Sequence, residues 1–164
     1  MVYPQAVNRA ASVAMGWVFG SPILGYIADH IGRRKPVVLG GAAVMLLATL
    51  AIFYLPAETF PPYLLRFLLG FGSGAAMIPY SIIKEVNPDR AKGSATGAMN
   101  FLVFVMTALA GPAIGWLMQK LAGGAALTLK VFDEAGSVYV AAIVLAAILT
   151  LFLKETGSGV RATN

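Results

Sequence analysis

The chain of 164 residues has no cysteine. That absence rules out disulfides, thiolate metal sites and a cysteine nucleophile, and it leaves the redox compartment unmarked. Charge is scarce too. Asp, Glu, Lys and Arg make up 12% of the residues, about half the share of an ordinary soluble domain. The single histidine, His30, stands in a polar turn, and no Asp or Glu interrupts the middle of an apolar run. There is no Ser–His pair on a shared segment, no cluster of carboxylates and no HExxH. The sequence therefore argues against an enzyme and calls for no cofactor and no metal. A basic region followed by an apolar one, the mark of a cleavable leader, is also missing: Gln5, Asn8 and Arg9 break up the first ten residues.

Long apolar runs fill most of the remaining sequence. Hydrophobic residues make up 59% of the chain and recur in blocks along its whole length, and about 20 such residues cross a bilayer core. These features describe an integral, multi-pass membrane protein of the all-α class. Five spans are expected, over residues 7–28, 36–54, 62–83, 93–118 and 137–153 of a bundle covering 1–156, with residues 157–164 as a polar tail. Pro56 and the pair Pro61-Pro62 bracket the loop after the second span, where proline stops one helix and starts the next at little cost. The longest loop is expected over 120–136, carrying Gly123-Gly124 and the acidic pair Asp133-Glu134.

The net charge of +5 does not imply nucleic acid, because the cations cluster at the ends of spans. One side of the membrane would carry Arg33, Arg34, Lys35, Lys84, Arg90, Lys92, Lys154 and Arg161, and the other Lys120 and Lys130. Cations concentrate on the cytoplasmic side, so the C-terminus is expected inside and the N-terminus outside, in a bacterial inner (plasma) membrane. Glycines four apart recur in three spans, as Gly16 and Gly20, Gly70 and Gly74, and Gly111 and Gly115. That spacing lets helix backbones approach closely, and helix packing accounts for these glycines better than a ligand does. No carboxylate lies at mid-span, where an intramembrane acid usually marks an ion or proton pathway.

The segment between the first two spans reads Gly25-Tyr-Ile-Ala-Asp29-His-Ile-Gly32-Arg33-Arg34-Lys35. Gly25 lies one turn before Asp29, so a neighbouring helix could come close to the acid. A carboxylate at a helix C-terminus is badly placed for its own helix dipole and well placed against the start of another helix. Gly32 permits the sharp turn, and three cations follow. Topology alone explains cations, but not the acid and the two glycines.

This pattern resembles the loop motif joining the second and third helices of each six-helix half in the major facilitator superfamily of secondary transporters. The later spans follow the same order. Arg66-x-x-x-Gly70-x-Gly72-x-Gly74 is similar to the arginine–glycine pattern of a fourth helix. Glu85-x-x-Pro88-x-x-x-Lys92-Gly93 resembles the loop after it, where the family commonly has arginine at the position of Lys92, and Gly111-Pro112-x-x-Gly115 resembles the fifth helix. The resemblance covers residues 7 to 156. It implies a partial chain: five helices of a six-helix half, with the first one missing. The polar tail after Leu153-Lys154-Glu155 and the position of Asn100 fit helices eight to twelve, in the C-terminal half. The glycine–proline motif and the arginine in span three are more typical of the N-terminal half of drug antiporters.

The resemblance further implies a gating network of Gly25, Asp29, Gly32, Arg33, Arg34, Glu85, Arg90 and Lys92, in which Asp29 faces the start of span four near Gly93 and Ser94 and Glu85 pairs with Arg33 or Arg34. A solvated surface ion pair is the competing account of Glu85. Arg66, Tyr80 and Asn100 are the substrate-pathway candidates. A cation inside a span usually faces a cavity or a partner, though at its shallow depth Arg66 could also snorkel to the interface. Tyr80 and Asn100 suit an ordinary interhelical hydrogen bond as well. The expected function is part of a transporter moving a small organic solute, with Arg66 suited to an anionic one, by alternating access. The alternative is a truncated, non-transporting membrane module that associates with itself. Expected partners are the lipid bilayer, a small solute, and either the missing transporter half or a second copy of the chain.

Overall fold

A computed structural model describes residues 3–56, 59–124 and 126–161. Helix α1 runs Tyr3–Ile31 and α2 runs Lys35–Tyr54. At 1.5 Å per residue α2 rises about 30 Å, the thickness of a bilayer core. The connection between them is short because Gly32 takes φ +69°, a left-handed conformation that closes α1, with its N–H donating to the carbonyls of Ala28 and Asp29 at 3.1 and 3.2 Å. Pro36 lies in the first turn of α2, where its missing N–H costs nothing.

The third span is a helix in two pieces, α3 (Pro62–Ser73) and α4 (Ile78–Val86), joined by a 3₁₀ turn over Gly74–Met77. Pro79 causes the break. It has no N–H to offer the carbonyl four residues back, that of Ala75, and the N–H of Ile78 takes that carbonyl in a tighter turn instead. A second 3₁₀ turn, Asp89–Ala91, leads into α5 (Lys92–Ala122), which ends at Gly123 with φ +58°. Helix α6 spans Leu129–Phe152, and a short α7 covers Ser158–Arg161. Among the described residues there is no strand, and five stretches are long and apolar enough to cross a membrane: Val7–Ile31, Lys35–Tyr54, Tyr63–Val86, Asp89–Ala122 and Lys130–Phe152. The protein is an all-α polytopic helix bundle.

One loop is shorter than the sequence suggests. The expected connection over 120–136 gives way to helix at Leu129. Asp133 and Glu134 fall in the second turn of α6, near the positive end of the helix dipole, and Glu134 meets Lys130 one turn earlier at 3.8 Å. Acidic residues that read as loop are thus early-helix residues.

Helix α1 packs most extensively against α3, α2 lies between α3 and α6, and α5 packs lightly, mainly on α4 and α6. The packed core is small. Leu24, Ala28, Val37, Ala75, Ile78 and Ile82 form it, with Val38 and Phe71 against them. Large apolar side chains such as Phe101, Phe104, Met106 and Phe152 are exposed instead, as lipid-facing or partner-facing surface is.

Candidate functional site

Glycine sets the closest contacts. A Cβ on Gly16 or Gly20 would strike the backbone of Phe67 or Phe71, and one on Gly70 would strike the backbone of Val13. Helices α1 and α3 therefore meet backbone to backbone, as the spacing expects. At Gly111 and Gly115 of α5, an added Cβ would meet nothing within 4 Å.

At the end of the bundle where α1 turns into α2, charges converge. Arg34 carries a side chain that is 12% exposed, and its guanidinium forks between two acids. One arm donates to Asp29 at the end of α1, and the other donates to Glu85 Oε1 near the end of α4 at 2.9 Å. One planar cation thus ties three helix ends together. The Glu85 hydrogen bond, opposed by burial and reinforced by Asp29, raises the already high pKa of Arg34, so the group stays charged. Its Nε is buried with no hydrogen-bond partner among the described residues.

Behind this fork lies a carboxylate that the motif reading passed over. Glu155, just after α6, points Oε1 at the start of α2. There it accepts from the N–H of Arg34 at 2.8 Å, of Lys35 at 3.0 Å and of Thr156 at 3.2 Å. Helix α2 has no side-chain cap of its own, so Glu155 supplies one from 121 residues away, at the positive end of the helix dipole. Burial pushes the Glu155 carboxyl up, but the N–H donors of Lys35, Arg34 and Thr156 and the charge of Arg33, 3.6 Å away, outweigh it and hold the carboxyl below its ordinary value. Lys35 returns the favour: its Nζ donates to the Leu151 carbonyl at 2.9 Å, at the negative end of α6. The tail then folds back, with the Gly159 N–H donating to the Gly32 carbonyl at 3.0 Å. A Cβ on Gly32 would lie 2.6 Å from the Gly159 nitrogen. Gly32 is therefore fixed twice, by its positive φ and by the tail above it.

Of the expected gating residues, the structure joins Asp29, Gly32, Arg33, Arg34 and Glu85 in one cluster. Glu85 meets Arg34, while Arg33 meets Glu155. The other three stand apart. Lys92 pairs with Asp89 at 2.5 Å, Arg90 is exposed, and beside Gly25 a Cβ would find open space. Among the described residues nothing lies within 4 Å of a Cβ there, so the close approach expected at Gly25 is not made. Asp29 is bonded to Arg34, and the start of α5 at Gly93 and Ser94 remains exposed.

The three pathway candidates divide into two places. The Tyr80 hydroxyl donates to Asn100 Oδ1 at 2.5 Å, linking α4 to α5. Arg66 is half-buried on α3 and lines a cavity of about 760 Å³ bounded by α1, α2, α3, α5 and α6. This cavity occupies the half of the bundle away from the charged cluster. Sequence reasoning missed its far wall, which α6 supplies through Phe132, Ala135 and Tyr139. Apolar residues on a lipid-spanning helix carry no signal of which face meets a cavity. Glu155 did leave one: an acid immediately after a span, at the end of the bundle where cations gather.

A helix bundle with five membrane-length apolar helices, its helix ends clasped by a charge cluster and a cavity at the opposite end, describes a polytopic membrane protein. The chain belongs to the major facilitator superfamily, whose family model matches residues 8–162. It is 33% identical over 115 residues to the inner membrane metabolite transport protein YgcS of Escherichia coli (strain K12), a match over 68% of this chain and 23% of that protein. It is 28% identical over 130 residues to the maltose permease of Geobacillus stearothermophilus, covering 74% of this chain and 32% of the permease. Myo-inositol transporter 3 of Cryptococcus neoformans is 29% identical over 116 residues, 70% of this chain and 19% of the relative. The chain thus spans only a fifth to a third of the curated relatives it matches. No solved structure matches.

Proposed function

We propose that this chain is part of a secondary transporter, helices eight to twelve of its C-terminal half, that moves a small organic solute by alternating access. Binding sites in such proteins lie near the midplane, between two halves that rock against each other. The observation that carries the reading is the Arg34 fork. One guanidinium holds the ends of α1 and α4 to the start of α2, so the bundle end can be locked or released by exchanging ion pairs. The gate is Asp29, Gly32, Arg33, Arg34 and Glu85, with Glu155 as the cap that fixes the loop. The concentration of cations at this end supports a cytoplasmic side for it, in a membrane we take to be a bacterial inner one. Names such as maltose permease and myo-inositol transporter support an organic solute, and Arg66 in a cavity supports an anionic one.

The test is solute uptake into vesicles carrying the transporter that contains this chain. Asp29→Asn should slow uptake while leaving helix packing intact. Unchanged uptake rates in Asp29→Asn would remove the gating role.

A second reading has one observation in its favour: no residue of α5 is buried, and Phe101, Leu102, Phe104 and Trp116 are all exposed. That face suits either the rest of a transporter or a second copy of the chain in a non-transporting assembly. Native-gel sizing of the protein in mild detergent separates the two, because a species larger than one chain with no other polypeptide in it supports the homodimer.

A further inference from the structure

Helices α2 and α6 leave an apolar groove between them toward the charged end of the bundle. It holds about 260 Å³, and its nine lining residues are all Leu, Ile, Val or Ala. Small side chains open it: Ala42 and Ala43 on α2 and Ala147 on α6 border the same space. From Leu39 to Leu46 it follows about 10 Å of α2. Ala43, Val144 and Ile148 are exposed, so the groove opens outward from the bundle. No polar side chain lines it, and water finds no partner there. Between helices that span a bilayer, such a groove fills with hydrocarbon. A helix with its side chains is about 10 Å across, too thick for so narrow a space, whereas an acyl chain fits.

Hydrocarbon alone selects nothing, because lipid tails are as apolar as leucine. Selection comes from the charges where the groove ends. Leu151 lines that end, and its carbonyl accepts from Lys35 Nζ at 2.9 Å. An ammonium carries three N–H donors, and that bond uses one. Lys154, just beyond Leu151, is exposed. The acids at this end are already matched: Asp29 and Glu85 hold Arg34, while Glu155 meets Arg33 and caps α2. Lys35 and Lys154 are therefore surplus positive charge beside a hydrocarbon-lined slot. That combination complements a phosphodiester with a fatty chain attached, and basic pockets between membrane helices hold anionic headgroups in this way.

We propose that the α2–α6 groove is a binding site for one anionic phospholipid, with an acyl chain between Ala43 and Ala147 and the phosphate on Lys35 and Lys154. The inference goes beyond solute transport and does not depend on it. A phosphate on Lys35 would bear on the contact that joins the start of α2 to the end of α6.

The test is photolabelling of the purified protein in nanodiscs by phosphatidylglycerol or phosphatidylcholine, each with a diazirine at the same acyl position. Labelled peptides are mapped by mass spectrometry. Phosphatidylglycerol should label residues 39–46 and 143–151 about fivefold or more above phosphatidylcholine, the scale set by one cation near an anionic lipid. Lys154→Gln and Lys35→Gln should each cut that preference severalfold, and Lys154→Arg should keep it. Ala147→Phe, which fills the groove, should lower labelling of these two segments by both lipids while helicity and labelling elsewhere stay unchanged. Ala43→Phe takes its place should that variant not fold. Equal labelling by the two lipids overturns the proposal, as does a preference unmoved by both lysine changes or labelling that survives the groove-filling variants. Segments that neither lipid labels overturn it too, and a dimer on native gels in that case makes the occupant a second copy. Unchanged uptake in Asp29→Asn bears on the transporter reading alone, and loss of lipid preference on this inference alone.

Discussion

Two glycine pairs with the same spacing meet different surroundings in this molecule. Gly70 and Gly74 on the α3 side lie against the backbone of α1, so tightly that a single added carbon has no room. Gly111 and Gly115 in α5 face open space. The sequence pattern is identical, and the packing is opposite. Spacing of this kind states that a helix can be approached closely; it does not state by what. The α1–α3 crossing is an interface within the chain, whereas nothing among the described residues packs on the α5 glycines.

The contrast can be broken experimentally, and the largest effect should come from the α1–α3 crossing. Gly70→Leu should cost about 3 kcal/mol or more, because backbone cannot move aside as a flexible side chain can. Thermal unfolding in detergent measures it, and tolerance of this change would mean that the two helices do not cross where the structure puts them. Next comes the Arg34 fork. Arg34→Ala removes the Arg34 hydrogen bond from the half-buried Glu85 and should cost about 2 kcal/mol, below the penalty for a fully buried pair. Arg34→Lys should recover only part of that, since an ammonium cannot fork between two acids.

Glu155→Gln should cost about 1 kcal/mol, the scale of a lost helix cap. Its pH dependence follows from the lowered carboxyl pKa. The contribution is complete above the ordinary value of 4.5 and is lost as the pH falls through the depressed folded value. Acid melts should therefore separate the parent from Glu155→Gln at neutral pH and converge at low pH; parallel curves would deny Glu155 its role. The smallest effect belongs to Gly111→Leu, expected within about 0.5 kcal/mol in this chain. A large loss there would show that α5 is packed after all, and it would turn the comparison around.

Much of this architecture is legible in the order of residues. Apolar blocks of membrane length, prolines at helix starts and the Gly25–Lys35 segment suffice for the helix bundle and for its family. The pairing of Glu85 with Arg34 was one of two alternatives, and side-chain geometry decided it. Glu155 was not legible as a cap, because the N–H groups it serves belong to residues far away in sequence, and no local pattern encodes that meeting. The α6 wall of the cavity was hidden for another reason: a span that is apolar on every face gives no periodic signal to say which side is inside. Asp133 and Glu134 misled because acids near a span end suit a loop and an early helix turn equally well.

The clasp between Glu155 and the start of α2 has a consequence for how the protein is made. The turn at Gly32 is synthesised before α6, and the carboxylate that caps α2 is supplied 121 residues later. Chains are synthesised from the N-terminus onward at about 5–20 residues per second, so α2 must wait several seconds with its first N–H groups uncapped. The loop is written early and finished last. Completion of α6 is therefore the event that sets the connection between α1 and α2, and a chain interrupted before residue 155 would carry all the residues of the motif without the cap at its centre.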